Sequence, residues 1–431
     1  MRHSPSWFRE TLTYTRWPQA PNAHGPFGKD QLTPAERRSL RGIPLFINVQ
    51  SASAVREAHA LGGRALAYIS FLDTYVHTAG FENGTARVPW DPRRPQMLLL
   101  DDRGQFRNTP MDSSHRMWRY LICSNTAEYV AMALDMVRRQ MDEGVDGLFI
   151  DNSNARRPCY GHGAPVGYSK RYRQVIAGIP DWPQPQVAAK TPPEQLYRRG
   201  IEPHYHTDIP GIGELPRHRH LYPGRSHDYA YERLLEAVAR VVRGYGKDKA
   251  VVVNGCRGNR IADGVMLESY LYSWAWHGPQ RDWLQRTGEG VQWRAFVAKG
   301  GRPLALSYVG RSDREPIADA FHAAATAFVN GFLWSDYHTC ADARADALRR
   351  LRLGKRLTAP AMPGEIKYAC FEGGLVAANQ GTRRRAVEVP LPGRFHAGHL
   401  RDLMTGDTIA RGGNSVRVVL PPRSGWIAVA Q

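Results

Sequence analysis

The strongest constraint in this chain is a repeated unit. A short apolar run ends in polar residues, and a segment with helical spacing follows. The runs lie at 43–49 (IPLFINV), 64–71 (RALAYISF), 145–151 (VDGLFID), 250–254 (AVVVN), 264–268 (GVMLE), 303–308 (PLALSY) and 331–336 (GFLWSD). A first strand is expected near 10–15, which brings the total to about eight. Between them, 51–63 reads as a helix capped by Ser51 or Ser53 and stopped by Gly62 and Gly63. In 126–143, Val130, Ala133, Leu134, Val137 and Met141 fall on one helical face. Further helices are expected at 229–243 and 317–330. Strands that are apolar throughout, rather than at alternate positions, need burial on both faces, as in a parallel sheet. Eight such units predict an α/β fold, a (β/α)8 barrel. An open doubly wound sheet is the alternative, but no glycine-rich dinucleotide or phosphate loop follows an early strand.

The chain has 431 residues, room for one barrel and a smaller domain. The barrel is assigned to 1–360. Within it, 155–227 carries eleven prolines and little periodicity, and reads as a long insertion between the fourth and fifth strands. From 367 to 431 the pattern changes to short β-rich runs punctuated by Gly, Pro and Asn, which predicts a small all-β sandwich.

Lys and Arg total 58 against 40 Asp and Glu, a formal net charge of +18. Such a balance favours anionic partners, an acidic polysaccharide or a nucleic acid, and disfavours polycations. An arginine-rich coding bias with a solvated surface accounts for it equally well. No zinc finger, RNP motif or concentrated basic helix supports nucleic-acid binding, so none is expected. No run approaches the roughly 18 apolar residues of a spanning helix. The first residues, MRHSPSWFRETLTYTRW, lack a secretory apolar segment. Either the protein is cytoplasmic, or the chain begins after a removed signal and the protein is extracellular or periplasmic. The five cysteines are widely spaced and contain no CxxC, so neither a disulfide framework nor a zinc site is expected. His204, His206, His218, His220 and His227 lie among Arg217, Arg219 and Arg225, whose charge opposes a metal. No metal or cofactor is expected. The oligomeric state is not encoded in any pattern here.

In a barrel, catalytic groups stand at the C-terminal ends of strands. Asp151 and Glu268 end the fourth and sixth. Two carboxylates at one pocket are what glycoside hydrolysis requires: one protonates the leaving oxygen, the other attacks the anomeric carbon or activates water. Tyr68, Ser70, Asp73, Asn152, Asn254, Tyr270, Trp274, Tyr308 and Asp336 follow the same or neighbouring strand ends. Aromatic faces and amide or carboxylate groups suit the C–H faces and hydroxyl rims of sugars. These nine are the expected substrate-binding residues. No GxSxG elbow supports an acyl-transfer triad.

The runs ALAYISF, GVDGLFIDN, VVVNG and GVMLES together resemble the glycoside-hydrolase-like (β/α)8 barrels of the endo-α-1,4-polygalactosaminidase type and related glycosyl hydrolase families described from sequence. The resemblance covers roughly 40–340. It implies that Asp151, in the stretch opened by Asp146 and Gly147 and followed by Asn152, is the first catalytic carboxylate, and that Glu268 is its partner. It also implies a contribution from Tyr68 and Ser70, and a C-terminal β-sandwich. Asp151 is then the nucleophile or base and Glu268 the acid or acid/base, with the roles interchangeable at this level. The insertion lengthens the interval between the two. The charge of +18 works against a cationic polygalactosamine and favours a neutral or acidic glycan. A carbohydrate-binding protein without catalysis on the same scaffold is the alternative.

Overall fold

Apolar strands with both faces to bury close into a ring here. The computed structural model describes residues 4–19, 29–77, 108–110, 117–153, 221–222, 227–255, 260–272, 291–310, 314–358, 365–393, 395, 398–410 and 413–431. In chain order the strands begin with β1 (Thr15–Arg16), β2 (Leu45–Val49), β3 (Arg64–Ser70), β4 (Asp73–His77), β5 (Asn108–Pro110), β6 (Met117–Leu121) and β7 (Gly147–Asp151). They continue with β8 (Ala250–Asn254), β9 (Gly264–Leu267), β10 (Arg302–Leu306) and β11 (Leu333–Ser335). Eight of these form one sheet in the order β1-β2-β3-β7-β8-β9-β10-β11. Every pairing in it is parallel. The ring closes where Thr13 bridges Trp334 in parallel. There Tyr14 N–H donates to the Trp334 carbonyl at 3.1 Å, and Trp334 N–H to that of Leu12 at 2.8 Å.

Side chains alternate across this ring. Leu66, Tyr68, Phe149, Val252, Met266, Leu304 and Leu306 fill the interior. Their neighbours Ala67, Ile69, Leu148, Ile150, Val251 and Val265 face the outer helices. Those helices include α3 (Ala52–Ala60), α4 (Ala127–Asp142), α5 (His227–Gly244), α6 (Val291–Ala298), α7 (Pro316–Val329) and α8 (Ala343–Arg349). Ser51 Oγ accepts from Ala54 N–H and caps α3; the alternative cap, Ser53, lies inside that helix. Two short helices, α1 (Ser6–Glu10) and α2 (Pro34–Leu40), precede β2.

The first strand begins later than expected. Glu10 ends α1, whose Phe8 is fully buried inside the barrel, and strand pairing begins at Thr13 and continues in β1. A second difference is an antiparallel sheet, β4-β6-β5, inserted after β3. Of the expected 155–227 insertion, only 221–222 and the first residue of α5 are described.

Asp146 and Gly147 hold the N-terminal end of the ring. The buried Asp146 carboxylate accepts from Arg64 at 2.8 Å and Ala65 N–H at 2.9 Å, and lies 2.7 Å from His59 Nε2. Gly147 has φ 151°, and a Cβ there would stand 1.9 Å from the Ala250 carbonyl oxygen. No side chain fits between those strands.

From Ile366 the chain is antiparallel β. It contains β12 (Ile366–Phe371), β13 (Gly374–Asn379), β14 (Arg385–Pro390), β15 (His399–Asp402), β16 (Thr408–Ala410), β17 (Ser415–Leu420) and β18 (Ser424–Ala430). They form a five-stranded sheet, β12-β13-β18-β15-β16, and a two-stranded one, β14-β17. Leu375, Ala377, Trp426 and Ala428 point between the sheets, with Val389, Val416 and Val418. Val376, Ala378 and Ile427 point the other way, into the core around α7. Twelve of the fourteen residues of α7 are buried. Its Phe321 carbonyl lies 2.1 Å from where a Cβ on Gly425 would be. The helix is apolar all round because it is covered on both sides. The described cysteines, Cys123, Cys340 and Cys370, are free and buried. Among the described residues no helix is long and apolar enough to cross a membrane.

Candidate active site

Alternation fixes which residues reach the C-terminal mouth. Counting two residues at a time from interior positions leads from Tyr14 to Arg16, Phe149 to Asp151, Val252 to Asn254, Met266 to Glu268, Leu306 to Tyr308 and Leu333 to Tyr337. Tyr68 in β3 and Asn48 in β2 complete one residue per strand end. The β2–β3 register shifts between Phe46 and Val49, and Asn48 there has φ 62°.

Asp151 is half-buried and takes three donors. Tyr68 O–H donates to Oδ2 at 2.9 Å, and Asn254 Nδ2 and the Asn152 N–H donate to Oδ1 at 2.9 and 2.8 Å. Three such bonds fix the carboxylate plane. Glu268 is exposed and accepts from Tyr308 O–H at 3.1 Å on Oε1. Its Oε2 lies 3.5 Å from the same Asn254 Nδ2. Asn254 thus touches both carboxylates, and Asp151 Oδ1 and Glu268 Oε2 are separated by no more than the sum of its two contacts, about 6.4 Å. Burial, and then the Glu268 charge beside it, push the Tyr308 phenol well up. Burial does the same to Tyr14 and Tyr337, even though Arg16 opposes it at Tyr337. All three phenols remain protonated donors.

The other expected residues divide. Ser70 is buried and in register with Asp151. Asn152, at φ 55°, contributes its backbone N–H. Asp73 opens β4, its backbone paired with Leu121. Trp274 lies outside the described residues. Two do not join the mouth. Tyr270 is 1% exposed and packs edge-on against Phe332 in the core around α7. Asp336 shares the outward parity of Trp334 and is 1% exposed. It accepts from Arg349 Nε at 2.9 Å and Nη2 at 2.6 Å, and from the His338 and Cys340 N–H groups. It fastens the last loop of the barrel to α8 and faces away from the mouth.

Sequence reasoning missed Tyr14, Arg16, Asn48 and Tyr337. Arg16 lies with its guanidinium 5.3 Å from the centre of the Tyr337 ring, and Tyr14 meets that ring edge-on at 6.3 Å. The signal was available for two of them. Extending each strand by its own two-residue period reaches Arg16 from Tyr14 and Tyr337 from Leu333.

A closed (β/α)8 ring with two carboxylates joined by an asparagine at its C-terminal mouth is the class of site this chain presents. No family model matches the chain, and no curated protein does. Solved structures with a similar course include the following three. The glycoside hydrolase domain of PelA from Pseudomonas aeruginosa is 15% identical, with 76% of this chain and 96% of that one covered and a TM-score of 0.40. An isomalto-dextranase from Arthrobacter globiformis T6, complexed with panose, is 12% identical over 99% and 74%, with a TM-score of 0.47. An alpha-amylase from Malbranchea cinnamomea is 9% identical over 99% and 97%, with a TM-score of 0.49.

Proposed function

We propose that this chain is a glycoside hydrolase that cleaves O-glycosidic bonds of a neutral or acidic oligo- or polysaccharide. The observation that carries the reading is the Asp151–Asn254–Glu268 arrangement at the mouth of a closed barrel. Asp151 is the nucleophile, its plane held by Tyr68, Asn254 and the Asn152 amide. Glu268 is the acid/base. It is exposed, so a leaving group and then a water can both reach it. In the first step Asp151 attacks the anomeric carbon as Glu268 gives its proton to the departing oxygen. In the second, Glu268 takes a proton from water, which displaces Asp151. Asp151 Oδ1 and Glu268 Oε2 stand within about 6.4 Å of each other, a span that admits retention, for which the carboxyl groups stand about 5–5.5 Å apart.

The test is reducing-end release from a panel of neutral and acidic glycans by wild type, Asp151→Asn, Glu268→Gln and Tyr68→Phe, with product anomers followed by NMR. Both carboxylate variants should lose activity by orders of magnitude while staying folded, and the first product should keep the substrate's configuration. Tyr68→Phe removes one hydrogen bond to a charged group, about 1.5–3 kcal/mol, so kcat/KM should fall roughly 10- to 100-fold. Activity that survives both carboxylate changes means the pair is wrong. Binding without turnover on every glycan would leave a carbohydrate-binding protein.

A further inference from the structure

Among the described residues, the eight strand ends at the mouth carry two carboxylates and one cation, Arg16. The ring order puts β1 four strands from β8 in either direction. Arg16 therefore stands across the mouth from Asn254, with Asp151 and Glu268 on the strands flanking it. Arg16 is half-buried, and its guanidinium carbon lies over the Tyr337 ring, 5.3 Å from its centre. Among the described residues it donates to Gln19 Oε1 at 2.9 Å, and none of their carboxylates lies within ion-pair distance. The nearby phenols of Tyr308 and Tyr337 stay neutral and supply no counter-charge.

Resting on the glycosidase reading above, we infer that Arg16 recognises a carboxylate on the sugar, so that the substrate is a uronate-containing glycan. A sugar seated with its anomeric carbon between Asp151 and Glu268 turns the rest of its ring toward the opposite wall. A planar guanidinium whose carbon lies over an aromatic ring can still receive a carboxylate in a two-pronged hydrogen bond. The chain's charge of +18 draws the same class of polymer toward the mouth. A neutral sugar offers this guanidinium hydroxyl groups but no counter-charge.

The experiment compares polygalacturonate, hyaluronan, alginate and glucuronoxylan, each beside its carboxyl-reduced form, as substrates for wild type, Arg16→Gln and Arg16→Lys. Wild type should prefer at least one acidic polymer over its reduced form by about tenfold or more in kcat/KM. That ratio should collapse in Arg16→Gln, return in part in Arg16→Lys, and shrink with added salt. Because the ratio is taken within each variant, partial loss of folded protein cancels. A preference that survives Arg16→Gln, or reduced polymers cleaved as well as the acids, overturns the inference. Cleavage of neutral glycans alone overturns it and leaves the glycosidase reading standing. No cleavage of any glycan by wild type removes both.

Discussion

Asp336→Ala separates a structural carboxylate from a substrate-binding one. The Arg349 guanidinium meets both Asp336 oxygens, at 2.9 and 2.6 Å, with side-chain exposures of 5% and 1%. Breaking such a pair from one side leaves a buried charge behind and costs about 3–5 kcal/mol. Arg349 keeps two partners, Asp346 at 2.6 Å and the Cys340 carbonyl at 2.6 Å. The loss should therefore lie near the bottom of that range, about 3 kcal/mol. Urea unfolding followed by far-UV circular dichroism reads it. The double variant Asp336→Ala with Arg349→Met removes the stranded charge as well as the pair. It should regain more than half of the loss, since replacing both members of a buried pair by apolar groups is often close to neutral. At a temperature where the single variant is folded, KM for any cleaved glycan should match wild type. A loss under about 1 kcal/mol, or undiminished stability with a raised KM, would refute this reasoning and return Asp336 to the substrate site.

Two further outcomes follow from other contacts. Gly147→Ala brings a Cβ to 1.9 Å from the Ala250 carbonyl at a φ of 151°; it should cost more than about 4 kcal/mol, seen as loss of soluble protein or a steep fall in Tm, and a wild-type Tm would contradict the close approach of those strands. Burial, aided by the Arg314 and Arg423 charges, pushes the His322 imidazole down to about 3, from the ordinary 6.5. The unfolded chain binds that proton first, so stability should fall as pH drops from about 6.5 toward about 3, by up to about 1.4 kcal/mol per pH unit. His322→Gln should flatten that slope in urea unfolding run across the same range, and an unchanged slope would assign it to other groups.

Much of the barrel was legible because its strands are apolar on both faces, and that property is local in sequence. The ends of β7, β8 and β9 could be read for the same reason, and with them Asp151, Asn254 and Glu268. What failed had a non-local cause. Glu10 reads as the start of a first strand, but it ends the helix that places Phe8 inside the ring beside Leu304 and Gly264, far along the chain. Asp336 and Tyr337 are adjacent in sequence, yet only the second faces the mouth. Parity counted from Leu333 separates them, while proximity to a strand end does not. Tyr270 follows Glu268 closely, but the turn there, with Ser269 at φ 63° and Leu271 at φ 60°, carries it into the core around α7. Arg16 lies one period beyond Tyr14, but with only two residues in β1 that period stands out less than in the longer strands.

The helix α7 has consequences for how this protein could be divided or inherited. It is at once an outer helix of the barrel and the surface on which the five-stranded sheet lies, with Gly425 giving way to its backbone. Cutting the chain ahead of β12 would bare an apolar helix to water, so the sandwich is no detachable appendage of the kind enzymes gain and lose by domain shuffling. Barrel and sandwich must be acquired together, change together at this seam, and be expressed as one piece.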